Sequence, residues 1–487
     1  MKLLFDILPK NYIVKTINAD NKVIEKISLD SRNIGENYLF IAIKGYSSDG
    51  HEYIEMAIKK GATVIVCEIL PSKLDNNITY ILTNDAQNLL SVLASNFYNN
   101  PSDKLKIIGI TGTNGKTSIA TLLFNLFKNL GYKVGLISTI KNYIHDIELN
   151  STHTTPDNIQ LNKLFNEMVE YGCEYCFMEV SSHAIAQKRI ANVNFVGGVF
   201  TNITHDHLDY HKTFEEYLKT KKSFFDNINE NAFCLSNFDD KNGAVMLQNT
   251  KATKKFYSVK SIADFKGKII EHDFDGLLLK INENEVWCKL LGTFNAYNLL
   301  AVYGTAILLN QDKIEVLKFL SNLSPVEGRF EIVKSKNNII GIIDYAHTPD
   351  AIRNVLNTIN EIRTRNEILI TVIGCGGNRD KLKRPIMADI SCELSDKVIL
   401  TADNPRNESI ESIINEMESG INGIYYYKSL KINDRKEAIK TAVSMAKEND
   451  IILIAGKGHE NYQEIDGIQH HFDDVEVLQE IYKLFNI

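Results

Sequence analysis

The run Gly109-Ile110-Thr111-Gly112-Thr113-Asn114-Gly115-Lys116-Thr117-Ser118 decides the reading of this chain. It follows the apolar pair Ile107-Ile108 and opens onto a stretch, 119–130, whose apolar residues recur at helical spacing. A strand, a glycine-rich turn and a helix in that order build a cradle for phosphate. Closely spaced glycines let backbone N–H groups converge on phosphate oxygens, and the first helical turn adds partial positive charge. Lys116 supplies a full charge, and the Thr117 hydroxyl can join the shell of a Mg²⁺ ion. The loop therefore predicts ATP or a related triphosphate, held by Gly112, Thr113, Asn114, Gly115, Lys116, Thr117 and Ser118.

Around this loop the chain divides at its turn-rich punctuation. At 487 residues it is too long for one core, and at about 150 residues per domain the length predicts roughly three. The polar cluster Tyr98-Asn99-Asn100-Pro101-Ser102-Asp103 stands just before the phosphate-loop strand. Ser324-Pro325-Val326-Glu327-Gly328-Arg329 separates a helical stretch from a strand-rich one. These breaks predict domains at 1–102, 103–328 and 329–487. In the second, apolar runs at 107–110, 134–137, 175–178 and 196–200 alternate with helical periodicity, and runs at 339–343, 368–373, 398–400 and 451–454 do the same in the third. Strands that alternate with helices make parallel sheets. The expectation is an α/β protein of three domains: a smaller N-terminal α/β domain, a central P-loop ATPase-like parallel sheet and a C-terminal Rossmann-like sheet.

Hydrophobic residues make up 44% of the chain, a globular composition, and the formal charge of −7 excludes a general binder of nucleic acid or acidic membranes. Any phosphate site is then a local basic patch. Asp6 interrupts the apolar start Leu3-Leu4-Phe5 before a signal-peptide core forms, and no uninterrupted apolar run long enough to span a bilayer follows. The expectation is a cytoplasmic monomer that works on small molecules, without nucleic acid or membrane insertion. Seven scattered cysteines fit a reducing compartment. Cys173 and Cys176 read as structural thiols rather than a zinc or redox site, since no second pair or nearby His accompanies them.

In open α/β sheets, ligands sit beyond the carboxyl ends of strands. Two apolar runs end in chemistry-bearing residues: Glu179-Val180-Ser181-Ser182-His183, and Thr201-Asn202-Ile203-Thr204-His205-Asp206-His207-Leu208-Asp209. Glu179 and His207 could share Mg²⁺ with Thr117, because a hard divalent ion prefers oxygen donors and accepts an imidazole in a specialised site. Alone, each would read as a cap or a core hydrogen-bonding group. Tyr217-Leu218-Lys219-Thr220-Lys221-Lys222-Ser223-Phe224-Phe225 reads by itself as a basic amphipathic helix with solvated lysines.

The loop has Ile110 where the longer phosphate-loop pattern has its first Gly. As Thr111-Gly112-Thr113-Asn114-Gly115-Lys116-Thr117 it resembles the shorter loop of the Mur ligase and folylpolyglutamate synthetase superfamily, ATP-dependent enzymes that make amide bonds. E-V-S-S-H at 179–183 and D-H-L-D-Y-H at 206–211 resemble the Mur ligases further. Similar enzymes carry a Tyr-x-x-(small)-Lys-x-x-apolar-Phe motif whose lysine is carbamylated by CO₂ and holds a second Mg²⁺. Lys221 stands at that position, with Thr220 where Ala is usual. The resemblance thus implies a metal set of Thr117, Glu179, His207 and Lys221 as its carbamate, and a catalytic set of Lys116, Lys221, His207 and Glu179. Gly292-Thr293-Phe294-Asn295-Ala296-Tyr297-Asn298, Gly328-Arg329-Phe330-Glu331 and Asp344-Tyr345-Ala346-His347-Thr348-Pro349-Asp350 look like the family's remaining ATP-contacting elements. They imply Asn298 and Arg329 at the nucleotide and Asp344 on its ribose.

Within the family, the substrate elements resemble the branch that adds the third peptide residue to UDP-N-acetylmuramoyl-L-alanyl-D-glutamate. Leu29 and Ser31 in Leu29-Asp30-Ser31-Arg32, and Tyr46, Ser47 and Ser48 in Lys44-Gly45-Tyr46-Ser47-Ser48-Asp49-Gly50-His51, match its UDP-binding region. Thr154, Thr155, Ser181, Gln187 and Arg189 match positions that hold the muramoyl dipeptide. Arg379 in Gly376-Gly377-Asn378-Arg379-Asp380-Lys381, the run Asp403-Asn404-Pro405-Arg406, and Gly456 and Glu460 in Gly456-Lys457-Gly458-His459-Glu460 resemble the meso-diaminopimelate form. Lysine-adding relatives usually lack the Arg of D-N-P-R, and a planar guanidinium suits the extra carboxylate of diaminopimelate. The implied reaction is amide ligation through an acyl phosphate, with ATP and Mg²⁺. The alternatives are the lysine-adding form, a folylpolyglutamate synthetase, which starts almost at its phosphate loop, and a non-catalytic nucleotide-gated module.

Overall fold

Lys106–Thr111 is buried at every residue but its first, the near-continuous apolar pattern of a strand covered on both faces. It belongs to the fold given by a computed structural model, which describes residues 1–9, 11–45 and 48–487 and all their side chains except those of Leu208 and Asp209. Tyr46 and Ser47, expected to contact UDP, lie outside the described residues.

This strand sits inside an 11-stranded sheet. Seven of its strands run parallel, in the order Val134–Ile137, Tyr175–Glu179, Lys106–Thr111, Phe195–Phe200, Phe233–Asn237, Thr253–Ser258 and Phe265–His272. The pair Lys141–Ile144 and Ile147–Asn150 extends one edge antiparallel, and Leu277–Ile281 and Asn284–Cys288 extend the other. The order reverses at the phosphate-loop strand, since the chain next fills the Val134–Ile137 side and later the Phe195–Phe200 side. Such a switch point opens a crevice at the carboxyl ends of the strands.

Alternate residues of the strand feed two cores. Ile108 and Ile110 pack with Ile119, Leu123, Leu126 and Phe127 of the helix Lys116–Asn129. Ile107 faces the other way, toward Phe165, Phe224 and Phe225. Each such fully buried side chain contributes roughly 1.5–3 kcal/mol. Gly109 has to be glycine for this second layer to close, because a Cβ there would lie 2.6 Å from the Phe224 ring. That approach seats the helix Phe214–Asp226, capped by the Thr213 hydroxyl accepting from Glu216 N–H, directly beneath the phosphate loop.

Two further sheets flank the large one. A five-stranded sheet, ordered Ile13–Ile17, Thr79–Thr83, Ala62–Cys67, Tyr38–Ile41 and Lys26–Ser28, is parallel except at its first strand. A six-stranded sheet runs Glu331–Lys334, Ile340–Asp344, Ile451–Ala455, Leu369–Cys375, Lys397–Ala402 and Ser429–Lys431, again with only the first strand antiparallel. Behind it, Arg435 and Asp474 form a fully buried bidentate pair, and Arg435 also donates to Ala402 O and Ala455 O. One guanidinium thereby ties together the ends of the two strands that lead into D-N-P-R and G-K-G-H-E.

Candidate active site

The phosphate loop is held from outside. Thr113 N–H donates to Asn202 O at 2.8 Å, Asn114 N–H to Asn202 Oδ1 at 2.9 Å, and the Thr201 hydroxyl to Asn114 O at 2.6 Å. The next helix starts at Gly115 in the left-handed region (φ 83°) with no side-chain cap, which leaves its first N–H groups for a ligand. Lys116 Nζ folds back onto its own loop, donating to Gly112 O at 2.9 Å and Thr113 O at 2.7 Å. Burial lowers its pKa, while Glu179 and Asp206 oppose that shift. Thr117 is buried, with its hydroxyl 3.4 Å from Arg329 Nη2. Ser118 lines the same cleft.

Glu179, fully buried at its strand end, accepts from Thr139 N–H at 2.8 Å and from the Thr139 hydroxyl at 3.3 Å. His207 adopts a left-handed backbone (φ 55°), and its Nε2 lies 3.4 Å from Asp206 Oδ2. Burial pushes the His207 imidazole down to about 4 against the pull of Asp206, so it is neutral at pH 7. Lys221 is 1% exposed and donates to Gly112 O at 2.9 Å, with Nζ 4.8 Å from the Tyr217 ring centre. Burial and the neighbouring Lys116 hold its amine well below the usual lysine range. Among the described residues no three His, Cys, Asp or Glu side chains converge closely enough to bind a metal by themselves.

The C-terminal sheet supplies the opposite wall. The Arg329 guanidinium lies 4.5 Å over the Tyr345 ring, and Asp344 accepts from Phe330 N–H at 2.7 Å. Burial pushes the Asp344 carboxyl up to about 6. Asn298 donates to Asn295 Oδ1 at 2.9 Å, and its own Oδ1 lies 2.8 Å from where a Cβ on Gly115 would be. A direct link crosses between the sheets: Asn114 Nδ2 donates to Asp350 Oδ2 at 2.9 Å, and Asp350 stands in the first turn of the helix Pro349–Ile362.

Deeper in this wall, Asp403, Asn404, Arg406, Gly456, Glu460 and Arg379 gather at one end of the cleft. Pro405 is buried between them and positions the loop through its carbonyl, which accepts from Glu408 N–H at 3.0 Å. Arg406 takes a left-handed backbone (φ 53°), donates from Nη1 to Gly377 O at 2.8 Å, and places Nε 3.2 Å from Glu464 Oε2. Two residues absent from the expected site stand behind this group. Lys457 is fully buried, 3.2 Å from Asn404 Oδ1, 3.6 Å from Asp403 Oδ1 and 3.7 Å from Glu460 Oε2. Arg384 is also fully buried and joins Gly376 O to Glu408 and Glu416. Lys457 lies inside a motif singled out from the sequence and Arg384 three positions beyond another, and only their burial distinguishes them from surface cations.

At the other end of the cleft, Thr155 donates to Glu179 O at 2.8 Å and accepts from Ser181 N–H at 3.1 Å. Arg189 donates to Thr155 O at 2.9 Å and to Gln187 Oε1 from both Nε and Nη2. The Thr154 hydroxyl accepts from Thr139 at 3.0 Å. Leu29, Ser31 and Ser48 do not line this cleft: Leu29 packs on the N-terminal core, Ser31 is buried against Met56, and Ser48 is exposed. The cleft holds about 1430 Å³. That exceeds the 300–1,000 Å³ typical of a single ligand and leaves room for several reactants in line.

Against known families, the chain matches "Mur ligase family, catalytic domain" over 23–99, "Mur ligase middle domain" over 110–306, and "Mur ligase, glutamate ligase domain" over 328–458. A relative from Phocaeicola vulgatus, named UDP-N-acetylmuramoyl-L-alanyl-D-glutamate--2,6-diaminopimelate ligase, is 55% identical over 474 residues, 97% of this chain and 98% of the relative. A Clostridium acetobutylicum protein of the same name is 44% identical over 95% of each. A solved structure titled as that ligase superposes with a TM-score of 0.69 at 30% identity, covering 97% of both chains. With identity of this level along nearly its whole length, the chain belongs to the Mur ligase family.

Proposed function

We propose that this chain joins meso-diaminopimelate to the D-glutamate γ-carboxylate of UDP-N-acetylmuramoyl-L-alanyl-D-glutamate, converting ATP to ADP and phosphate in peptidoglycan precursor synthesis. The observation that carries the reading is one continuous cleft. Its middle is an anion-binding loop, one end is the Thr154, Ser181 and Arg189 group, and the other is the Arg379, Arg406 and Glu460 group. The names of the relatives agree with substrates of that shape and charge.

A carboxylate is a poor electrophile, and phosphorylation gives it a leaving group. The γ-phosphoryl group passes from ATP to the glutamate carboxylate oxygen and leaves ADP, the diaminopimelate amine attacks the acyl carbon and loses a proton, and the tetrahedral intermediate expels phosphate. Lys116 and the loop N–H groups neutralise the moving phosphoryl group, and Asn298, Arg329 and Asp344 fix the nucleotide. Glu179, His207, Thr117 and Lys221 as its carbamate offer the oxygen-rich, single-imidazole set that suits Mg²⁺. Bound there, the ion supplies charge neutralisation at the phosphates. The poised neutral amine of Lys221 is the form that attacks CO₂. We assign the three parts of this work to 1–102, 103–328 and 329–487, acting as a cytoplasmic monomer. No helix among the described residues is long and apolar enough to cross a membrane.

Oxygen labelling tests the acyl phosphate. With ¹⁸O in the glutamate γ-carboxylate, the released phosphate should carry one labelled oxygen per turnover. Unlabelled phosphate, or ATP cleavage to AMP, would remove the proposed chemistry.

A further inference from the structure

Lys457 lies behind the Asp403, Asn404 and Glu460 end of the cleft with no exposed surface, and a buried lysine is expensive unless it is needed there. Its ammonium is the hub of three side chains: Asn404 Oδ1 at 3.2 Å, Asp403 Oδ1 at 3.6 Å and Glu460 Oε2 at 3.7 Å. Asn404 is fixed in turn, donating from Nδ2 to Glu460 Oε2 at 2.7 Å and accepting from Glu464 N–H at 2.9 Å. Asp403 Oδ1 is buried without a hydrogen bond. Two carboxylates thus share a closed corner with one cation between them.

We propose that Lys457 is a positioning residue for the incoming amino acid: standing between Asp403 and Glu460, it offsets their mutual repulsion and holds the pair in place, so that the corner can take the substrate's ammonium group. The inference rests on the function proposed above. Its logic is Coulombic. Two carboxylates left without the cation they share repel, and the cheapest relief is for Glu460 to bind a proton, which would destroy the ammonium site. Lys457 supplies the opposing charge without occupying the substrate's place, because its stem comes from behind the loop. The groups that face Glu460 are Asp403, Lys457, Arg406, Tyr345, Tyr462 and, from the buried side, Arg435. Burial and Asp403 raise the Glu460 pKa, while Lys457, Asn404 and Arg406 restrain it. Removing Lys457 takes away one of only a few restraints.

The test is Lys457→Met, which keeps the length and apolar stem, assayed by phosphate release with diaminopimelate, ATP and the UDP-muramoyl dipeptide. The KM for diaminopimelate should rise about tenfold or more at the acidic end of the enzyme's working range and recover as pH climbs, whereas the wild-type KM stays nearly flat. The KM for ATP should stay within about twofold, which also shows that the variant is folded. Glu460→Gln supplies a second arm that does not depend on Lys457→Met folding: it should raise the same KM at every pH, and adding Lys457→Met to it should cost little more and bring no pH dependence. A pH-independent KM in Lys457→Met, equal losses for all three substrates, or strict additivity in the double variant would overturn the inference. A wild-type enzyme idle with diaminopimelate would overturn the substrate reading and this inference together. Wild-type turnover with an unchanged variant would overturn the inference alone.

Discussion

Three lysines in four positions, Lys219, Lys221 and Lys222, show what decides a residue's role. Lys219 pairs with Glu215 at 2.7 Å on the open face of the helix, and Lys222 pairs with Asp226 at 2.7 Å one turn along. Such i,i+4 pairs contribute only about 0.3–0.5 kcal/mol. Lys221 points inward to the phosphate loop, and burial depresses its pKa. Lys221→Ala should therefore abolish ligation while Lys219→Ala and Lys222→Ala retain most of it, with all three folded by circular dichroism. Comparable losses in the three would contradict the assignment of Lys221. Spacing alone made this segment a solvated basic helix, and the single inward lysine became legible through the motif. Lys457 and Arg384 escaped, because sequence does not report which of a chain's many cations the fold buries.

At the level of elements, the parallel strands were the readable part. Runs such as 107–110 and 451–454 are apolar at every position because helices cover both faces, and they reappear as Lys106–Thr111 and Ile451–Ala455. The antiparallel extensions were not anticipated. In Leu277–Ile281 only alternate residues are buried, and the hairpin turns at Asn282 with a left-handed backbone (φ 50°), a short pattern that looks like any polar loop. The phosphate loop is the element on which most depends. Gly112 has φ 153°, and a Cβ there would lie 1.9 Å from the Thr201 hydroxyl oxygen, so Gly112→Ala must displace either the loop or the strand end that braces it. The variant should lose ATP affinity by about tenfold or more while melting within a few degrees of wild type, as calorimetry and nucleotide titration would report. Unchanged ATP affinity would mean that the loop does not hold phosphate in the way proposed.

Across the whole molecule, the site is assembled by topology more than by any one motif. The carboxyl ends of two sheets face each other, and the Asn114 to Asp350 hydrogen bond spans them. That juxtaposition is invisible in the sequence, since the partners are more than two hundred positions apart. Fold likeness does not choose among substrates either, since one fold can carry unlike activities. The choice falls to the far end of the cleft, where Arg406 touches both Gly377 O and the Glu464 carboxylate. If that guanidinium serves the substrate's distal carboxylate, lysine leaves it poorly matched, at a cost of about 2–5 kcal/mol. If it only braces Glu464, its loss harms stability and treats all amino acids alike. The decisive measurement is the specificity constant, by phosphate release in the presence of ATP and the UDP-muramoyl dipeptide, for meso-diaminopimelate and for L-lysine in wild type and Arg406→Ala. The account predicts a wild-type preference for diaminopimelate of roughly thirty-fold to several thousand-fold that shrinks sharply in the variant; a wild-type enzyme that uses lysine equally well, or a preference untouched by the substitution, would contradict it.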